Sequence, residues 1–370
     1  MKQANRNKLL KYASLLFSTI VGVTFIVSGF LKAVDPWGTA IKFEEYFSVY
    51  GFDWLMPLSD VLAIWLCGAE MMMGLMMLFK VRLRLISIFA LLSMSVFTVI
   101  TLLSATVLPV VDCGCFGEAI TLTSWQTFYK NLVILPMVIT IWYRYRPDRI
   151  FAFNRREIIL TALFCVTTIG FSLYNYVHLP MIDFLPYKVG VNLLQVDNES
   201  VAKLKVVLVY RNIESGELRE FTLNDSMTWP DESQWEWVET RDVESVEPVG
   251  HKLHISDFKL RDLDQNDVTK SLLESHKTLH LLCITSFDKM QESCKKRIEK
   301  YIAECKARAE HVVIITTDSF SEQSYNAQCG LSVDMYNIEG EILKALIRAN
   351  DGVVVLRSGV IVDKISCFDM

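Results

Sequence analysis

The sequence predicts a polytopic α-helical membrane bundle of five helices followed by a soluble α/β domain. Three observations predict it. Five long apolar runs crowd the first 177 residues of a 370-residue chain that is 52% hydrophobic. Charge then reverses: residues 1–177 carry 15 Lys+Arg against 10 Asp+Glu, and residues 178–370 carry 22 against 32. Beyond residue 252, short apolar runs alternate with a helical pattern, the order of an α/β domain. The acidic second half argues against a nucleic-acid partner, because phosphate backbones are bound by basic patches.

A helix that crosses a bilayer needs about 20 mostly apolar residues. The runs at 9–31, 59–79, 85–108, 125–143 and 158–177 have that character. The first is too long for a signal-peptide core and no small-x-small cleavage site follows, so an uncleaved anchor is expected. Lys2, Arg6, Lys8, Lys11, Lys80, Arg82, Arg84 and five arginines between 144 and 156 put 12 cations on one side, against Lys32, Lys42 and Lys130, which make 3, on the other. The positive-inside rule makes the first side cytoplasmic. The expectation is a bacterial inner-membrane protein, N-terminus cytoplasmic, C-terminal half periplasmic, with the bilayer as its first partner.

Between the first two spans, "DPWGTAIKFEEYFSVYGF" reads as an interfacial helix opened by Asp35-Pro36, with Trp37, Phe43, Tyr46 and Phe47 at headgroup level. Glu70 stands mid-span in "CGAEMMMGLMM". An intramembrane carboxylate is a functional candidate by default; the plainer alternative is a protonated Glu bonded to a neighbouring helix. Cys67 shares its face. The methionines read as packing, with a copper path as the lesser alternative.

The segment "DCGCFGE" at 112–118 sets Cys113 and Cys115 one glycine apart. The orientation above places it in the oxidising compartment. A disulfide there needs the two Cα atoms near about 5.5 Å, and Gly114 tolerates the tight turn. Asp112 and Glu118 disfavour a thiolate, so the expectation is a sluggish thiol and a reactive disulfide. The alternatives are a static disulfide and a metal clip. Zinc takes more ligands than this loop offers, so no metal site is expected. No cysteine lies in a predicted cytoplasmic segment, which leaves a quinone in the bilayer or another periplasmic thiol protein as the redox partner.

Taken together, "FIVSGFLKAVDPWG", Glu70 followed by Gly74, and "CGCFG" resemble the DoxX/MauE superfamily, and more closely the branch named for methylamine-utilisation protein MauE. The resemblance covers roughly residues 8 to 145. It implies a small helical inner-membrane bundle, and the MauE branch is linked to maturation of a disulfide-rich periplasmic dehydrogenase. Carried over, it implicates Cys113, Cys115 and Glu70. The fifth helix and the large C-terminal region depart from the short form.

Residues 178–251 read as a small β-rich segment. "KVVLVY" and "ELREFTL" form a hairpin, and Trp229, Trp235 and Trp237 read as core or interface. From 252 the order is a strand–turn–strand in "HISDFKLRDLDQNDVTKSL", a buried strand, a helix, a strand, a helix, and a hairpin turning at Ser358-Gly359. This order resembles the thioredoxin fold of the TlpA-like group over about 252 to 366. The resemblance implies a Cys-x-x-Cys at the start of the first helix, but Gln291 stands at the attacking position and only Cys294 remains. Asp351 stands where the family places a proline before the hairpin. The domain (252–370) therefore reads as a binding module without dithiol catalysis. Cys294, Ile298, Tyr301, Ile302 and Cys305 share an apolar helix face, which reads as core packing. Cys294 and Cys305 are about 16 Å apart along the helix, too far to bond. Five cysteines in this domain leave at least one unpaired. Cys329 and Cys367 are the more exposed candidates to partner Cys113 or Cys115, with Cys294 a third.

The leading functional reading is a thiol–disulfide redox or maturation factor for periplasmic proteins, with Cys113 and Cys115 as the pair and Glu70 assisting protons or a quinone. The alternatives are a non-enzymatic scaffold whose soluble domain binds a partner, and a small-solute or metal transporter with Glu70 on the path.

Overall fold

A computed structural model describes residues 2–107, 114–120, 122–145, 154–194, 206–212, 218–222, 235–242, 254–287, 290–318 and 333–370. The N-terminal part is a helical bundle: α1 (Lys2–Val34), α2 (Pro36–Val49), α3 (Ser59–Leu78), α4 (Leu83–Thr106), a short strand β1 (Cys115–Glu118), α5 (Ser124–Tyr145) and α6 (Arg155–Val177). Among the described residues, four helical segments are long and apolar enough to cross a membrane: Asn7–Val34, Asp53–Leu78, Leu83–Thr106 and Arg155–Val177. The expectation was five. The fourth expected span is present as α5, 22 residues long, but it is not among the four. Gln126, Lys130 and Asn131 lower the hydropathy of its first two turns. The bundle turns Val61, Trp65, Leu92 and Val166 outward, each exposed by more than half. Such an apolar surface fits lipid rather than water.

Glycines let α1 and α3 meet. A Cβ on Gly74 would lie 2.5 Å from the Ile26 amide nitrogen, and one on Gly29 would lie 2.4 Å from that of Met71. Backbone cannot yield at those distances, so only glycine permits this approach. Met73, Met76 and Met77 fill the bundle core with Val21, Phe25 and Val138, consistent with the packing role of a flexible thioether.

Asp35 caps α2 as expected, its side chain accepting from the Gly38 amide at 3.1 Å, with Pro36 in the first turn. Trp37, expected at headgroup level, is instead 2% exposed. Its ring stacks on Tyr176 at 4.8 Å and its Nε1 donates to the Tyr176 carbonyl at 3.0 Å. The indole finds both an apolar bed and an acceptor on α6, so it has no need of the interface.

After α6, strands β2 (Val206–Asn212), β3 (Leu218–Thr222) and β4 (Trp235–Asp242) form a three-stranded antiparallel sheet in the order β3-β2-β4. The expected hairpin is its β2–β3 pair, with Leu208 opposite Phe221. Trp235 and Trp237 lie on β4, opposite Asn212 and Tyr210. Trp229 lies outside the described residues.

The C-terminal domain contains α7 (Thr269–Ser275), β5 (Thr278–Ile284), α8 (Glu292–Ala307), β6 (His311–Thr316), β7 (Asp334–Asn337), α9 (Gly340–Ile347), β8 (Asp351–Arg357) and β9 (Val360–Ser366). Its sheet order is β7-β6-β5-β8-β9. β5, β6 and β7 run parallel, and β8 and β9 are antiparallel to their neighbours. The β8–β9 hairpin turns at Ser358 (φ 50°) and Gly359 (φ 79°), the pair of positive φ values that suits a two-residue turn. The expected strand–turn–strand at 254–272 is reduced to a bridge between Arg261 and Asp267, followed by α7. Asp267 accepts from the Thr269 amide at 3.0 Å, closing a local turn just before that helix. One face of the sheet packs on Ile298, Ile302 and Cys305 of α8. The other buries Leu343 and Leu346 of α9 together with Leu185, Tyr187 and Leu193 from the segment after α6.

Domain and bundle are held together by charge. Arg348, at the end of α9, forms a fully buried ion pair with Asp35. Lys344 pairs with Glu44 of α2 at 2.6 Å, and Ser366 donates to the Val177 carbonyl at 3.0 Å.

Candidate functional site

The site begins with the close approach of α1 and α3. Ser28 and Lys32 stand one turn apart near the end of α1, and Glu70 faces them from the middle of α3. Lys32 Nζ lies 2.8 Å from both carboxylate oxygens of Glu70. Lys32 is 4% and Glu70 2% exposed. A buried charge persists when it is paired and hydrogen-bonded. Glu70 is therefore paired with a cation across the α1–α3 contact, not an isolated carboxyl.

Ser28 extends the pair. Its Oγ lies 2.7 Å from Glu70 Oε2 and 2.6 Å from the Cys115 carbonyl oxygen. One hydroxyl thus links the buried carboxylate to the backbone of the cysteine loop. That loop is tight: Gly114 (φ 57°) and Gly117 (φ 59°) take the left-handed conformation, and the Gly117 amide donates to the Gly114 carbonyl at 3.0 Å. The Lys130 ammonium sits over the Phe116 ring at 4.7 Å. A space of ≈ 30 Å³ bordered by Ser28, Lys32, Glu70, Cys115, Lys130 and Asn131 has room for about one water.

Beside this cluster lies a cavity of ≈ 420 Å³. Phe43, Tyr46 and Phe47 of α2 and Phe97 of α4 line it, and Lys32, Gly114 and Cys115 form part of its wall. It is an apolar, aromatic-rich pocket with two cations, Lys32 and Lys42, and one sulfur in its wall, a size and character suited to a flat apolar molecule with a polar group.

Of the expected site residues, the structure brings Glu70 and Cys115 together through Ser28. Cys113 and Cys329 lie outside the described residues, as do Asp112 and the side chain of Glu118. Cys67 is fully buried, its Sγ 3.8 Å from Thr39 Oγ1. Cys294 and Cys367 are joined in a disulfide with Cα atoms 5.6 Å apart. Neither is a free partner thiol, and Cys367, expected to be exposed, is 1% exposed. Ser366 accepts from the Phe368 amide at 3.3 Å and turns the tail back over α8, where Arg297 donates to the Cys367 carbonyl at 3.1 Å. Gln291 precedes the first turn of α8 as expected.

Lys32 and Ser28 were missed as site residues. Lys32 counted only as a loop charge in the orientation argument. The available signal was the spacing Ser28–Lys32 at the end of an apolar helix, because an intramembrane carboxylate requires a nearby cation.

With its apolar helices and outward-facing aliphatic belt, the chain is a membrane protein in contact with lipid. Residues 10–144 match the family described as methylamine utilisation protein MauE. The match runs from α1 through α5 and contains every residue of the cluster above; α6 and the C-terminal domain lie beyond it. No curated protein and no solved structure matches the chain.

Proposed function

We propose that the protein is a thiol–disulfide redox factor in which Cys113 and Cys115 cycle between dithiol and disulfide in the periplasm. The observation that carries this reading is the position of Cys115: it forms the wall of an aromatic cavity and is tied through Ser28 to the buried Lys32–Glu70 pair. In the proposed step the two thiols lose two protons and two electrons to a quinone-class acceptor seated in the cavity. One S–S bond forms and a hydroquinone leaves. The disulfide then exchanges with a dithiol of a client protein, which returns the pair to its reduced state. Lys32 places positive charge on the cavity wall, and positive charge near sulfur favours the nucleophilic thiolate. Glu70 and Ser28 offer a route for the protons.

The C-terminal domain reads as thioredoxin-like. Its strand order β6-β5-β8-β9, with α8 crossing between parallel β5 and β6, supports that reading. Gln291 at the start of α8 and the bonding of Cys294 to Cys367 favour a second reading for this domain, a client-binding module that does no dithiol chemistry itself.

Alkylation trapping in a Cys113→Ser variant tests the proposal. A mixed disulfide at Cys115 with a periplasmic protein is expected. No adduct, together with unchanged disulfide content of periplasmic proteins in cells lacking this chain, would leave the scaffold reading in its place.

A further inference from the structure

A second cluster lies in the C-terminal domain, on the α8 face of the sheet. His280 projects from β5, Cys305 from the last turn of α8, and Glu310 from the residue before β6. Their ligand atoms all lie within 4.8 Å of one another. His280 is 5% and Cys305 0% exposed, while the Glu310 side chain is 30% exposed and opens the group to solvent.

Hydrogen bonding leaves this cluster unsatisfied. His280 Nδ1 is bonded to the Tyr301 hydroxyl at 2.8 Å. Its Nε2 lies 3.4 Å from Glu310 Oε2, yet neither atom has a hydrogen-bond partner. Buried polar atoms are rarely left this way without a missing water or ion. Burial holds the imidazole below its usual pKa, favouring its neutral form. With its proton on Nδ1, directed at Tyr301, the ring presents the Nε2 lone pair to the cluster. That is the tautomer of a metal-bound histidine whose other nitrogen is oriented by a neighbour.

We propose that His280, Cys305 and Glu310 form a binding site for a zinc-class divalent cation, with a solvent molecule completing four-coordination. One nitrogen, one sulfur and one oxygen ligand suit this borderline cation. Zinc–ligand bonds of about 2.0–2.3 Å would draw the three atoms to roughly 3.3–3.8 Å from one another, within reach of side-chain adjustment. Arg308, whose Nη1 lies 3.7 Å from Glu310 Oε2, is 59% exposed in its side chain and free to swing aside. Binding displaces the Cys305 thiol proton, so affinity rises with pH.

The test is cobalt titration of the full chain in detergent after chelator treatment, with zinc back-titration. One equivalent is expected, giving visible ligand-field bands and a near-ultraviolet thiolate band, both abolished by zinc. Cys305→Ser should remove the thiolate band, and Glu310→Gln, at a partly exposed position that leaves the fold intact, should weaken binding at least tenfold. A variant with Cys113, Cys115 and Cys329 changed to Ser should keep the spectrum. The proposal is overturned if no cobalt spectrum forms, if Glu310→Gln and Cys305→Ser bind as the parent does, or if the spectrum is lost with the other three cysteines.

Discussion

The Lys32–Glu70 pair makes a quantitative prediction. In Lys32→Met the buried carboxylate loses its cation, and in Glu70→Gln the buried ammonium loses its anion. Removing one partner of a buried pair costs about 3–5 kcal/mol, because the other group is left buried without its counterpart. The double variant leaves neither group stranded, so its loss should be smaller than the sum by about 3 kcal/mol or more. Chemical unfolding of the detergent-solubilised parent, both single variants and the double variant at pH 7 measures the cycle. Single variants within about 1 kcal/mol of the parent, or strict additivity in the double variant, would refute a coupled internal pair.

Three further outcomes are expected. Gly74→Ala should destabilise the bundle by about 1–3 kcal/mol, because its Cβ meets the Ile26 backbone at 2.5 Å, whereas Gly170→Ala in α6, with nothing within 4 Å, should be neutral or stabilising; thermal unfolding compares them. Burial lifts the Asp351 carboxyl from 3.8 to about 6. Its folded pKa is above its unfolded one, so the stability it allows is full below about pH 4 and is lost as pH rises through 6; Asp351→Asn should recover up to about 3 kcal/mol at pH 7 and flatten the pH profile of unfolding. Replacing both Cys294 and Cys367 by Ala should cost about 4 kcal/mol for a bond spanning 73 residues, and a reductant should then destabilise the parent but not the variant.

The sequence carried the bundle well because apolar runs of spanning length have few other uses. The fifth span is not established: α5 has the length, but Gln126, Lys130 and Asn131 reduce its hydropathy. The β-strands of the C-terminal domain were legible from their apolar runs and from Ser358-Gly359. The site was half legible. Glu70 stood out because a carboxylate in an apolar helix is costly, but its partner Lys32 is 38 residues away and becomes a neighbour only through the glycine contact of α1 and α3. The Cys294–Cys367 bond was hidden for the same reason: a separation of 73 residues says nothing until the tail folds back over α8. His280, Cys305 and Glu310 likewise come from separate elements that only the sheet brings together.

The most direct test of the redox account is the oxidation state of Cys113 and Cys115 in isolated membranes, read by differential alkylation and mass spectrometry before and after adding a quinone. The account predicts reduced thiols that become a disulfide with matching formation of hydroquinone, slowed in Lys32→Met. A pair whose state is the same with quinone, with hydroquinone and with a dithiol client present would contradict it.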